Sequence, residues 1–185
     1  MLQIDPREIP ISKMHQYMLG AIGPRPIALA STVDKNGNPN LAPFSFFNAF
    51  SANPPVLVFS PARSGRDGTL KHTLENIYET REVVINVVTY DMVQQTSLSS
   101  TAYPKGVNEF VKAGFTPLDS VLVEPLRVKE SPVHFECHVD DVVELGDKGG
   151  AGNLVICQIA MVHADEDMLN DKGTVSYTHL RAHET

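Results

Sequence analysis

Residues 64–77 read SGRDGTLKHTLENI and gather Ser64, Arg66, Thr69, Lys71, His72 and Thr73 around Gly65 and Gly68. A phosphate monoester asks for this mixture: a guanidinium fork, an ammonium point charge, hydroxyls, and backbone N–H groups where a helix begins. Glycines let the main chain come close to the anion. The stretch then enters a helical pattern, with Leu70, Leu74 and Ile77 on one face. A solvated loop in which Asp67 or Thr69 caps the helix would use the same residues. Local chemistry leaves both readings open.

A second group lies just upstream, in NLAPFSFFNAFSANPP at 40–55. Phe44, Phe46 and Phe50 share one strand parity, and Ser45, Phe47 and Ala49 the other. An aromatic strand is ordinarily core. Here Ser45, Asn48 and Ser51 add hydroxyl and amide groups, a mixture that suits a flat heteroaromatic ligand with apolar faces and a polar edge.

Other groups carry less. GDKGGAGN (146–153) is glycine-rich but does not satisfy G-x-G-x-x-G, and it separates two strand patterns, so it reads as a hairpin loop. His134, Glu136 and His138 alternate along one strand; a polar row facing solvent or another subunit explains them better than a metal site. Cys137 and Cys157 fall on strands that pair, and reduced buried thiols are the expectation. His163 ends a strand and reads as a surface or structural histidine.

These groups need elements to position them. RPIALASTV (25–33), DKNGN and NLAPFSFFNAF (40–50) form a strand, a tight turn and a returning strand. VLVFS (56–60) and VVINVVTY (83–90) are short buried strands on either side of the helix LKHTLENIYETR (70–81). DMVQQTSLSS (91–100) and VNEFVKAGF (107–115) read as short helices. VHFECHVDDVVEL (133–145), with Val133, Phe135, Cys137 and Val139 on one face, pairs with NLVICQIAMVHAD (153–165). Hairpin-linked strands with inserted helices predict a mainly β fold: an antiparallel, Greek-key type barrel with peripheral helices.

The 185 residues suit one domain, expected over 1–173, with 42% hydrophobic content for its core. A net charge of −7 argues against general binding to nucleic acid or to an anionic membrane surface. MLQIDPREIP lacks the apolar run of a signal peptide, and no stretch reaches the ~20 apolar residues of a membrane span, so a cytoplasmic location is expected. The tail TVSYTHLRAHET (174–185) holds two of the seven histidines and little apolar periodicity. It reads as a non-native addition, which would leave the domain truncated at its C-terminus.

Taken in order, PRPIALASTVDKNGNPNLAPFSFFNAFSANPPVLVFS, RDGTLKHTLENIYETREVVINVV, SPVHFECHVDDVVELG and NLVICQIAMVHAD resemble the flavin-reductase-like family of FMN-binding split-barrel proteins. The resemblance spans residues 10–170. It implies a six-stranded split barrel, a homodimer, and FMN near the subunit interface, reduced by NADH or NADPH. The family's phosphate-binding element is often close to R-K-D-T; here it is spread over Arg66, Lys71, His72 and Thr73, with His72 in the aspartate position. Ser45, Phe46, Phe47 and Asn48 match the strand that lines the isoalloxazine ring, and Ser60 the strand end leading towards the phosphate.

The resemblance thus implies an NAD(P)H-dependent flavin reductase that passes electrons from bound or exchangeable FMN to a second acceptor, such as a partner monooxygenase. No acid or base is needed for hydride transfer, and no metal is implied. The alternative is a non-catalytic FMN-binding or flavin electron-carrier protein.

Overall fold

The computed structural model describes residues 1–176. Its strands are β1 (Ala28–Val33), β2 (Pro39–Phe44), β3 (Phe47–Ala52), β4 (Pro55–Phe59), β5 (Glu82–Val87), β6 (Pro117–Leu118), β7 (Arg127–Val128), β8 (Val133–Glu144) and β9 (Asn153–Ala164). The helices are α1 (Ile11–Ala21), α2 (His72–Thr80), α3 (Val93–Ser99) and α4 (Glu109–Ala113). No described helix is long and apolar enough to cross a membrane.

Seven strands form one antiparallel sheet in the order β2-β1-β5-β8-β9-β4-β3, and β6 pairs separately with β7. Only Ser45 and Phe46 separate β2 from β3, yet these strands occupy opposite edges of the sheet. The sheet must therefore curl until its edges almost meet. That is a barrel with a split, mainly β and antiparallel. Counted as one bent strand, β2 and β3 bring the number to the expected six. The 40–50 segment is thus a bent strand rather than a straight one. The Phe46 carbonyl accepts from the Ser60 N–H at 2.9 Å, which holds the bend.

Alternation on β1 divides the apolar residues between two cores. Ala28 and Ala30 join Leu57, Phe59, Ile85, Val155 and both cysteines inside the barrel, where Leu74 and Ile77 of α2 also pack. Leu29 faces the other way and packs with Leu41, Met92, Phe110 and Val128 under α3 and α4. The helical spacing at 70–81 thus does what it predicts: one face of α2 enters the barrel core.

Helix α1 was not legible in the sequence. It starts at Pro10 without a side-chain cap and buries none of its residues. Its last turn is held by Arg25, whose guanidinium donates to the carbonyls of Leu19 and Ile22. Of the tail read as non-native, residues 177–185 lie outside the described residues; Val175 bridges to Leu169.

The polar row on β8 faces solvent as expected only at His138. His134 is 5% exposed and Glu136 0%. The chain at 119–128 covers this face, and Glu136 accepts from the N–H groups of Val121 at 2.9 Å and Leu122 at 2.7 Å. His163 completes the group with its Nε2 2.7 Å from Glu136 Oε1. Burial alone would raise the Glu136 carboxyl, but these N–H groups and the His163 ring outweigh it and hold the group below its ordinary range. The cluster is structural: a carboxylate that fastens a loop. Among the described residues no group of side chains is placed to hold a metal ion.

Candidate functional site

The loop at 61–71 is built mainly by its own main chain. Ser64 N–H donates to Thr69 O and Gly68 N–H to Ser64 O, both at 2.9 Å. Gly68 has φ +73°, a left-handed conformation that glycine adopts without strain. Asp67 accepts from the Thr69 hydroxyl at 2.8 Å and from its N–H at 3.1 Å. Hydrogen bonds from Ser64 and Thr69 hold the Asp67 carboxyl down at about 2. Asp67 therefore braces the loop and does not cap the helix.

The β8–β9 hairpin grips this loop from behind. Arg63 N–H donates to Ala151 O at 2.8 Å, and Gly150 N–H returns to Arg63 O at 3.1 Å. The approach is close enough that a Cβ on Gly149 would lie 2.9 Å from the Ser64 carbonyl oxygen. The glycine-rich segment 146–152 is thus the expected hairpin loop, and its glycines admit the neighbouring loop. Arg63 itself is committed to Glu144 at 2.9 Å.

In front of the loop lies a cleft of about 260 Å³. Arg66, Thr69, Lys71, His72 and Thr73 line one side, so the structure brings the sequence-predicted cations and hydroxyls together. Helix α2 begins at His72 with Lys71 at its N-cap position, so its free N–H groups open here. No side chain caps it. Thr73 is buried and accepts from Asn40 Nδ2 at 2.9 Å, which ties the first turn of α2 to β2. Glu109 also lines the cleft; it is buried, accepts from Leu41 N–H at 3.1 Å, and its desolvation raises its carboxyl.

The cleft is also lined by Ser99, the last residue of α3, and by Ser100, Thr101, Ala102 and Tyr103, which follow it. Sequence reasoning missed them, because a Ser/Thr-rich run after a short helix carries no chemical signature of its own. Ser100 also lines a second, mainly apolar cleft of about 330 Å³, with Ile27, Pro43, Ser45, Val88, Val93 and Thr96. The two clefts therefore adjoin. Together they form a trough with cations and a helix start at one end and apolar walls with hydroxyls at the other.

The remaining predicted residues lie around the bend. Ser45 lines the apolar cleft. Phe46 packs edge-on against His15 of α1, with ring centroids 6.0 Å apart. Phe47 packs against the barrel core. Asn48 is exposed and accepts from the N–H of Ala49 at 2.8 Å. Ser60 lies against Gly152, where an added Cβ would come within 2.7 Å of its Oγ. Thus Ser45, Arg66, Lys71, His72 and Thr73 converge on the trough, while Phe46, Phe47, Asn48 and Ser60 surround the bend that presents Ser45.

Apolar walls of this kind suit a flat ring system, and cations beside a helix start suit an anionic group.

Known proteins point the same way. The family model described as the flavin reductase like domain matches residues 21–182. An uncharacterized protein from Aquifex aeolicus is 35% identical over 168 residues, 91% of this chain and 83% of its own length. Among solved structures, nitrilotriacetate monooxygenase component B from Bacillus cereus superposes with a TM-score of 0.90 at 30% identity, covering 97% of this chain and 89% of that one. A split-barrel-domain protein from Shewanella frigidimarina gives a TM-score of 0.82 over 97% and 88% at 24% identity, a likeness of fold. With its split barrel and its match to the family model, the chain belongs to the flavin-reductase-like family of flavin-dependent oxidoreductases.

Proposed function

We propose that the chain, a single domain over 1–173, is an NAD(P)H-dependent FMN reductase acting as a cytoplasmic homodimer. The observation that carries this reading is the trough itself, in which Ser100 joins the cationic cleft to the apolar one. Arg66 and Lys71 hold the phosphate, with Thr69 and the first turn of α2 supplying further donors. His72 stands where the family's element carries an aspartate, and so adds a donor in place of an acceptor. Thr73 keeps α2 in position through Asn40. Ser45 meets the ring edge, and Phe46, Phe47, Asn48 and Ser60 maintain the bend that brings it there.

Bound FMN supplies the redox chemistry, taking hydride from NADH or NADPH and releasing electrons to a second acceptor. The protein binds, orients and shields. A monooxygenase is the favoured acceptor class, supported by the likeness to nitrilotriacetate monooxygenase component B.

The test is an anaerobic titration of the purified, FMN-loaded protein with NADH and NADPH, followed by absorbance. Bleaching of the flavin band by either nucleotide is expected. A yellow protein that neither nucleotide reduces would make it an FMN-binding or electron-carrier protein, and a protein that stays colourless with added FMN would sink the reading. Turnover with excess free FMN separates exchangeable from tightly held cofactor.

A further inference from the structure

Thr96 lies in α3 with 5% exposure and lines the apolar cleft beside Pro43 and Ser45. Its Oγ1 is shielded from solvent and has no hydrogen-bond partner among the described residues. A helical threonine ordinarily returns its hydroxyl to a carbonyl one turn back. Thr96 does not. Two hydroxyls nearby are satisfied, Ser99 donating to Thr96 O at 2.8 Å and Ser100 to Ser97 O at 2.6 Å, while Ser45 and Ser97 of the same cleft are at least partly open to solvent. A buried hydroxyl with no partner destabilises a fold, and valine would fill the same volume without that cost.

An unpartnered group at the wall of a ligand cleft has a natural explanation, which is that its partner is the ligand. We infer that Thr96 is a recognition residue for the ring of the bound flavin, its hydroxyl donating to an acceptor on the ring's polar edge. The apolar walls formed by Ile27, Pro43, Val88 and Val93 offer no such donor. Threonine in a helix has two accessible side-chain rotamers, so a turn of about 120° about χ1 carries the hydroxyl to a second position. The inference rests on the flavin reading above and assigns the ring end of the trough a specific donor.

The contact is to the ring, so it is shared by FMN and riboflavin, whereas the phosphate contacts are not. Fluorescence titrations of both ligands against wild type, Thr96→Val and Thr96→Ser test it. In Thr96→Val both affinities fall by the same factor, about tenfold for one lost hydrogen bond. Thr96→Ser keeps the hydroxyl and stays within about twofold of wild type. The visible band of the bound flavin shifts in Thr96→Val and not in Thr96→Ser, while the ligand-free valine variant melts no lower than wild type.

Unchanged affinity in Thr96→Val overturns the assignment. So does an equal loss in Thr96→Ser, which would make the methyl group the important part. If the valine variant does not fold, Thr96→Ala is compared with Thr96→Ser on the same two ligands, and equal affinities overturn the assignment. A wild-type protein that binds neither ligand defeats the flavin reading itself.

Discussion

The side-chain amide of Asn40 on β2 donates to Thr73 Oγ1 on α2 across 2.9 Å. The contact joins two walls of the cleft and belongs to a buried network. Thr32 Oγ1 lies 3.5 Å from the same amide and accepts from Asn76 Nδ2 at 3.1 Å. All four side chains are buried. Helix α2 has no side-chain cap, so this network fixes its entry into the site.

Asn40→Ala leaves Thr73 without its donor inside the protein. A loss of about 1–3 kcal/mol in unfolding free energy is expected, read by urea denaturation. FMN affinity falls with it, because the first turn of α2 loses its register. An unchanged urea midpoint would show that water replaces the amide.

Arg66→Ala with Lys71→Ala weakens FMN binding by about one to two orders of magnitude and leaves riboflavin nearly untouched. Isothermal titration of both ligands measures the difference. Equal losses for the two would mean that the cations shape the cleft and do not hold the phosphate.

Gly149→Ala tests the grip of the hairpin on the loop. The added methyl carbon would stand 2.9 Å from the Ser64 carbonyl, with no flexible side chain to yield. A destabilisation of about 1–3 kcal/mol is expected, together with a larger loss for FMN than for riboflavin. Wild-type behaviour would show that the hairpin and loop separate freely.

Glu136 makes the fold sensitive to acid. Its folded-state carboxyl is held below the ordinary value of 4.5, so its contribution is complete above that value and drains as pH falls through the depressed one. Glu136→Gln loses the charged hydrogen bonds and destabilises the protein by about 1–3 kcal/mol near neutrality. Denaturation at stepped pH should show the gap between variant and wild type closing as pH falls below that ordinary value. A constant gap would refute the linkage.

Both cysteines should be silent towards a thiol reagent in the folded protein. Burial pushes the Cys137 thiol up to about 12 and the Cys157 thiol well above its ordinary range. Colorimetric titration is expected to count no reactive thiol until denaturant is added, and two afterwards. Reaction at native stability would mean that the barrel opens.

Helix α2 was legible because Leu74 and Ile77 repeat with the period of the helix that buries them. The cationic end of the site was legible for a related reason: Arg66, Lys71, His72 and Thr73 are close in sequence and share one loop and helix start. The bend at Ser45 and Phe46 was not, since its fastening is a main-chain bond from Ser60, with no local signature. Distance in the chain also hid the burial of Glu136, whose donors sit at Val121 and Leu122 on a loop that looks solvent-facing. The wall from Ser99 to Tyr103 reaches the cleft because α3 and α4 pack over β2, a tertiary event that no Ser/Thr run announces.

The hairpin holds residues 61–69 through amides and carbonyls, with Arg63 bonded to both Ala151 and Gly150. The shape of this loop therefore owes most to the main chain, with Asp67 and Thr69 the side chains that brace its tip. On the proposed reading it is a mounting into which different head-group readers can be set. Exchanging Arg66 and Lys71 for residues of another chemistry would change what is held while leaving the holder folded. Such a barrel can diversify its ligands by drift at a few exposed positions, without rebuilding the sheet behind them.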